Sequence, residues 1–215
     1  MDLERLIQEQ TKLAKEVSLK DGFKSIKKVA GFDLAFSGKN IFCAGVVLDY
    51  ETLDLIEKGF VRTKEIFPYI PTFLSYREFP AIFKAYMRLK KKPDLILLDG
   101  QGICHPRGLG LASHVGVFLN KPAIGVAKSR LCGEFREPKP GKPEKILFKK
   151  QQVGWAFRDK KFKPIFISPG HMVSMSGSLK IALTCLKNHR IPEPLRLAHL
   201  YANEAKVKHG SRKTR

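Results

Sequence analysis

Three carboxylates stand where a carboxylate needs a reason. Asp33 interrupts the apolar run Val29-Ala30-Gly31-Phe32-Asp33-Leu34-Ala35-Phe36, and Asp99 follows the apolar stretch Leu95-Ile96-Leu97-Leu98. A lone carboxylate inside a sheet is costly unless it is paired or bound to a metal. Glu78 adds a third acid just before an amphipathic segment. Oxygen-only ligands select hard cations, and Mg²⁺ keeps several waters, so two or three carboxylates are enough. One or two such ions at a phosphodiester would supply hydroxide and stabilise the leaving oxygen. A strand Asp can also be a hydrogen-bonded structural residue, and pattern alone leaves both readings open.

The elements that must position these acids follow from periodicity. Residues 1–20 carry Leu3, Leu6, Ile7, Leu13 and Val17 at helical spacing. Residues 29–36, 41–48 and 53–61 read as strands, joined by short connections that imply an antiparallel meander. Pro68 and Pro71 exclude residues 67–71 from a central strand or a helix interior. A helix is expected from about Pro80, with Ile82, Phe83, Tyr86 and Leu89 on its apolar face. Residues 94–98, 111–119 and 122–127 give strand, helix and strand, a parallel crossover that ends at Lys128. The Lys- and Pro-rich stretch 136–150 reads as a loop or hairpin approach. Residues 153–157 and 164–167 read as peripheral strands, and 173–186 and 194–205 as helices. The basic residues 206–215 are expected to fray. The expected architecture is α/β: one domain over 1–215 with a mixed sheet, an antiparallel meander and flanking helices.

Composition narrows the function. Lys and Arg total 40 against 20 Asp and Glu, a formal charge of +20 over 215 residues. That excess predicts a polyanionic partner, nucleic acid before an anionic membrane. No apolar run is long enough to span a bilayer, and the first residues lack a secretory pattern. Cys43, Cys104, Cys132 and Cys185 are too dispersed for a local zinc pair and read as reduced thiols, which fits a cytoplasmic protein. Lys90-Lys91-Lys92, the lysines of 139–150 and the C-terminal lysines are candidate phosphate contacts.

Several blocks together resemble the endonuclease V family, the deoxyinosine-directed nucleases with a ribonuclease H-like fold. They are Ala30-Gly31-Phe32-Asp33, Pro68-Tyr69-Ile70-Pro71, Phe73-Leu74-Ser75-Tyr76-Arg77-Glu78, Asp99-Gly100-Gln101-Gly102, His105-Pro106-Arg107, Ala112-Ser113-His114-Val115-Gly116, Pro169-Gly170-His171 and residues 192–199. The resemblance runs from about residue 30 to 205. It implies that Asp33, Glu78 and Asp99 hold Mg²⁺, with Mn²⁺ able to substitute, and that Lys128 and His199 lie near the reacting phosphate. It makes Pro68, Tyr69, Ile70 and Pro71 a wedge that separates strands. Gly100, Gln101, Gly102, Leu109, Gly110, Ser113 and His114 become candidates for a pocket around an extruded base, and Arg107 and His171 for phosphate contacts. Gln101 departs from the His that many members carry, so position 101 is a weak candidate for a general base.

The implied activity is hydrolysis of the second phosphodiester bond 3′ to hypoxanthine in DNA, leaving a 3′-hydroxyl and a 5′-phosphate. The expected enzyme is a monomer without membrane attachment. An inosine-directed ribonuclease acting on single-stranded RNA is one alternative. A non-catalytic nucleic-acid binding protein is another, and three carboxylates beside a polyanion argue against it.

Overall fold

The structure is a computed structural model that describes residues 2–210. Its centre is an eight-stranded mixed sheet. The strands are β1 (Lys28–Ser37), β2 (Asn40–Asp49), β3 (Leu55–Lys64), β4 (Leu95–Leu98), β5 (Ala123–Ala127), β6 (Glu144–Phe148), β7 (Gln151–Phe157) and β8 (Ile165–His171). Their spatial order is β3-β2-β1-β4-β5-β8-β7-β6. The expected meander is present: β1 pairs antiparallel with β2, and β2 with β3. The crossover also holds, since β4 lies parallel to both β1 and β5.

Five helices flank the sheet: α1 (Leu3–Ala14), α2 (Leu74–Arg88), α3 (Leu111–Leu119), α4 (Met175–Thr184) and α5 (Glu193–Gly210). Strand alternation divides the core into two layers. Val29, Leu95, Leu97, Ile124 and Val126 pack with Leu195 and Ala198 of α5 and Ile181 of α4. Ala30, Phe32, Ile96 and Leu98 face the other way, onto Ile82 and Tyr86 of α2 and Val115 of α3. No helix among the described residues is long and apolar enough to cross a membrane.

Four expectations need correction. Helix α2 begins at Leu74, so Pro80 lies inside it and Glu78 belongs to the helix. Proline removes one helical hydrogen bond. The burial of Ser75, Ala81, Ile82, Ala85 and Tyr86 along one face outweighs that loss. Strand β8 is interior and buried throughout, and it continues through Pro169 because the β5–β8 pairing shifts register at Ala123/Ile124. Part of the supposed 136–150 loop forms the edge strand β6. Residues 206–210 continue α5, and the rest of the expected tail, 211–215, lies outside the described residues.

Candidate active site

Asp33 lies in β1 opposite Ala44 of β2, and 13% of its side chain is exposed. Its partner arrives on α5, where His199 Nδ1 is 2.7 Å from Asp33 Oδ2. Gly31 makes that approach possible, because a Cβ there would collide with the Pro194 carbonyl at the start of α5. Asn203, one turn along α5, places its amide 3.2 Å from His199 Nε2. With Nε2 accepting, Nδ1 carries the proton and donates it to the carboxylate.

Asp99 follows β4, and Lys128 follows the parallel neighbour β5. The Lys128 ammonium pairs with Asp99 Oδ2. Arg190 donates to the Lys128 carbonyl at 2.7 Å and so fixes the backbone behind the ammonium. The strand ends approach because Gly125 has no side chain, and a Cβ there would meet the Gly100–Gln101–Gly102 backbone.

Glu78 comes from α2 and is half-buried. Burial, then the charges of Asp33 and Asp99, push its carboxyl up to about 8, while Arg77 opposes them. Arg77 is itself committed to Glu65, 2.6 Å away. Asp33 is raised for the same reasons, burial first and Asp99 second, against the His199 hydrogen bond. The buried Cys43 thiol is raised by burial and then by Glu78 and Asp33. Three acids from three elements therefore share one electrostatic field. They do not form a closed cage: among the described residues, no group of three His, Cys, Asp or Glu side chains is arranged to hold a metal as it stands. Asp33 is turned to His199 and Asp99 to Lys128. Among the described residues Glu78 has no comparable partner, and both it and Asp33 are raised. An all-oxygen donor set under mutual repulsion is the environment that a hard divalent cation relieves.

A cavity of ≈230 Å³ opens beside this centre. Asp99, Gly100, Gln101, Lys128, Tyr69 and Pro71 line it, together with Thr72, Leu74, His105, Leu109, Gly110 and Arg130. Tyr69 is 62% exposed and stands at the rim, flanked by exposed Pro68 and Pro71 with Ile70 half-buried. Of the expected pocket residues, Gly100, Gln101, Leu109 and Gly110 are in place.

Gly102, Ser113 and His114 do not line this cavity. Gly102 donates its N–H to Ser168 Oγ, and its carbonyl accepts from the Gly110 N–H. Ser113 is fully buried within α3. His114 is buried against the rings of Phe79 and Tyr76, which holds its pKa down to about 4.

The two proposed phosphate contacts have partners within the fold. Arg107 donates to Gln10 Oε1 at 2.6 Å and to the carbonyl and hydroxyl of Thr72 at 3.0 and 2.7 Å. His171 ends β8, and its Nδ1 accepts from the Ser18 N–H at 3.3 Å. Sequence reasoning missed Gln10, Thr72 and Arg190, because their partners are far away in the chain, and Asn203, whose partner His199 lies one turn away on the same helix and matters only through Asp33. The four cysteines are free, and the Cys104 and Cys132 sulfurs lie 4.0 Å apart.

The family model described as Endonuclease V matches residues 11–200. Endonuclease V of Dictyoglomus turgidum is 45% identical over 202 residues, covering 93% of this chain and 89% of that protein. This chain belongs to the endonuclease V family. The crystal structure of endonuclease V from Streptomyces avermitilis superposes with a TM-score of 0.90 at 33% identity, covering 97% of this chain and 94% of the other. Ciona intestinalis endonuclease V, solved in complex with a 24mer DNA containing an inosine followed by a ribo-adenosine, superposes at 0.86 with 30% identity, covering 96% and 98%. The span matched by the endonuclease V model contains Asp33, Glu78, Asp99, Lys128 and His199, together with the whole cavity lining.

Proposed function

We propose that this chain is a metal-dependent endonuclease that recognises hypoxanthine in DNA and hydrolyses the second phosphodiester bond 3′ to it. The observation that carries this reading is one cavity bounded on one side by the Asp99–Lys128 pair and on the other by exposed Tyr69. A pocket for a base, an aromatic tip at its rim and a carboxylate centre are thus contiguous. The complex of the Ciona relative with inosine-containing DNA supports the substrate class.

Asp33, Glu78 and Asp99 would hold Mg²⁺, with Mn²⁺ able to substitute. When bound, the cation supplies Lewis-acid stabilisation of phosphate charge and acidifies water. The Lys128 ammonium offsets the charge that builds on the phosphate oxygens in the pentavalent transition state. His199 donates Nδ1–H to Asp33 and opposes the rise that burial and Asp99 impose on that carboxyl. Water adds to phosphorus as the bond to the 3′-oxygen breaks, so the products are a 3′-hydroxyl and a 5′-phosphate.

Tyr69, held between two prolines, fills the space left in the stack when the base is extruded. In the cavity the base meets backbone at Gly100 and Gly110 and the side chains of Leu74 and Leu109. Hypoxanthine offers O6 and N7 acceptors and an N1–H donor. Guanine adds an amine that a close wall rejects. Adenine reverses the pattern at N1 and position 6 and leaves polar groups unpaired.

Inosine-containing RNA is the second reading, favoured by the ribo-adenosine that the Ciona complex accommodates. One experiment addresses both: end-labelled DNA and RNA strands with a single hypoxanthine, and adenine controls, resolved on a denaturing gel with Mg²⁺ and with EDTA. The expected product is a Mg²⁺-dependent cut at the second bond, confined to hypoxanthine strands. Equal cutting of the adenine controls, or cutting that persists in EDTA, would overturn the proposal.

A further inference from the structure

The chain closes two hairpins with two-residue turns, and it does so differently. Between β1 and β2, Ser37 pairs with Asn40, and Gly38 takes the left-handed backbone at φ 54°. Between β6 and β7, Phe148 pairs with Gln151, so Lys149-Lys150 is the entire turn. Both lysines are left-handed, at φ 51° and 64°. Two successive positive φ values are the conformation that Asn-Gly fills without strain. A Cβ makes it unfavourable. Strain of this kind persists where a side chain is wanted at that place.

Both lysines are exposed, and neither is in an ion pair among the described residues. They border an open groove of ≈560 Å³ with Arg130, Leu147, Phe148, Gly133 and Glu134. Lys149 Nζ lies 5.4 Å from the Phe148 ring. Arg130 is steadied by a 2.6 Å bond from Nη1 to the Gly133 carbonyl. Arg130 also lines the cavity that holds Asp99 and Lys128, so groove and cavity share a cationic wall. Glu134 is the single carboxylate of the groove, against three cations.

We propose that Arg130, Lys149 and Lys150 form a phosphate-binding track that carries a nucleic-acid strand from the cleft to the β6–β7 turn. The proposal rests on the nuclease reading above. Ammonium groups serve as point charges, the guanidinium offers a planar fork for phosphate, and Leu147 with Phe148 provides an apolar floor for sugars and bases. The strained turn keeps two cations side by side at the tip, where Asn-Gly would place none.

The test is K149N/K150G, which gives the turn its preferred residues and removes both charges. Its melting temperature is expected to equal or exceed that of the wild type. With Mg²⁺ and a duplex bearing one deoxyinosine, kcat is expected to stay within about twofold while KM rises about tenfold at low salt. The salt slope of log kcat/KM should become shallower by about 1 to 2, since each neutralised duplex phosphate contributes ~0.9. K160Q/K161Q removes the same charge from an exposed loop outside the groove and should change the slope less.

An unchanged KM and slope in K149N/K150G, an equal effect in K160Q/K161Q, or a lowered melting temperature would overturn the track. So would loss of binding to phosphatidylserine vesicles with oligonucleotide cleavage intact, because the cations would then serve a membrane. Wild-type protein that cuts no deoxyinosine strand fails one step earlier, at the nuclease reading, and removes the track with it.

Discussion

Asp33 lies in β1 and Asp99 directly follows β4, two inner strands of the sheet, whereas Tyr69, Thr72 and Arg107 belong to connections without a ladder of their own. The two regions meet at one cavity but are held by different physics. At the carboxylate centre the backbone is fixed by pairing on both sides and by core layers above and below. That frame tolerates acids that repel one another. Beside the pocket, position depends on side chains. The Thr72 carbonyl accepts from Gln10 Nε2, His105 Nε2 and Arg107 Nη2, each at 3.0 Å, while Thr72 sits at φ 69°. Gln10 is the one buried residue of α1, so that helix reaches the wedge through a single amide. Repulsive charge needs a rigid frame, and a rigid loop needs polar clamps.

The largest expected effect breaks the comparison on the carboxylate side. Asp33→Asn keeps shape and removes charge. Cleavage of a deoxyinosine strand should fall on the order of 10³-fold, judged by what a single stabilising group at a reacting centre contributes. The melting temperature should stay the same or rise, because one member of the repelling set is gone. Single-turnover gels and calorimetry read the two quantities. Activity within tenfold of wild type would remove Asp33 from the proposed centre.

On the pocket side stability and geometry should fail together. Arg107→Ala removes three hydrogen bonds and a guanidinium 4.6 Å from the Phe73 ring. Thr72 keeps two other donors, so the cost should be about 2–3 kcal/mol rather than unfolding. Cleavage should fall more on duplex than on single-stranded deoxyinosine substrate, since only the duplex needs strands parted by Tyr69. Equal losses on both would mean that Arg107 acts on stability alone, and a stable variant with wild-type rates would dissolve the clamp.

The same contrast decides what the sequence made legible. An acid inside Val29-Ala30-Gly31-Phe32-Asp33-Leu34 has few explanations, so Asp33 announced itself, and Asp99 did so after four apolar residues. Pro68 and Pro71 announced a rigid turn for the same local reason. The partners of Arg107, His114 and His171 are not legible in sequence because a polar side chain takes its partner from the folded neighbourhood. Gln10 lies 97 residues from the arginine it holds. Pro169 hid the inner half of β8, since a proline argues against a central strand unless a register shift accommodates it. Pro80 hides the start of α2, because a proline reads as a helix boundary and here is a tolerated interior residue.

The smallest effect sharpens the comparison through acid. His114 stacks on Phe79 at 5.2 Å and meets Tyr76 edge-on at 5.4 Å, and its Nδ1 has no partner among the described residues. Burial lowers its pKa to about 4, and His105 is lowered to about 4 by burial within the Thr72 clamp. In the unfolded chain both sit near 6.5, so the unfolded state takes up protons first as pH falls. The stability present above pH 6.5 is therefore lost between about 6.5 and 4, with each histidine contributing up to ~1.4 kcal/mol per pH unit. His114→Phe keeps the ring stack and removes one of these protonation sites, while His105 and His171, the latter also lowered by burial, remain. At pH 7 its stability should lie within about 1 kcal/mol of wild type. Between pH 6.5 and 4 its acid slope should be shallower by one histidine, measured by urea titration at stepped pH. A slope identical to wild type would show that His114 is not held neutral in the fold. The acid sensitivity would then belong to other groups, with His105 in the clamp and buried His171 first among them.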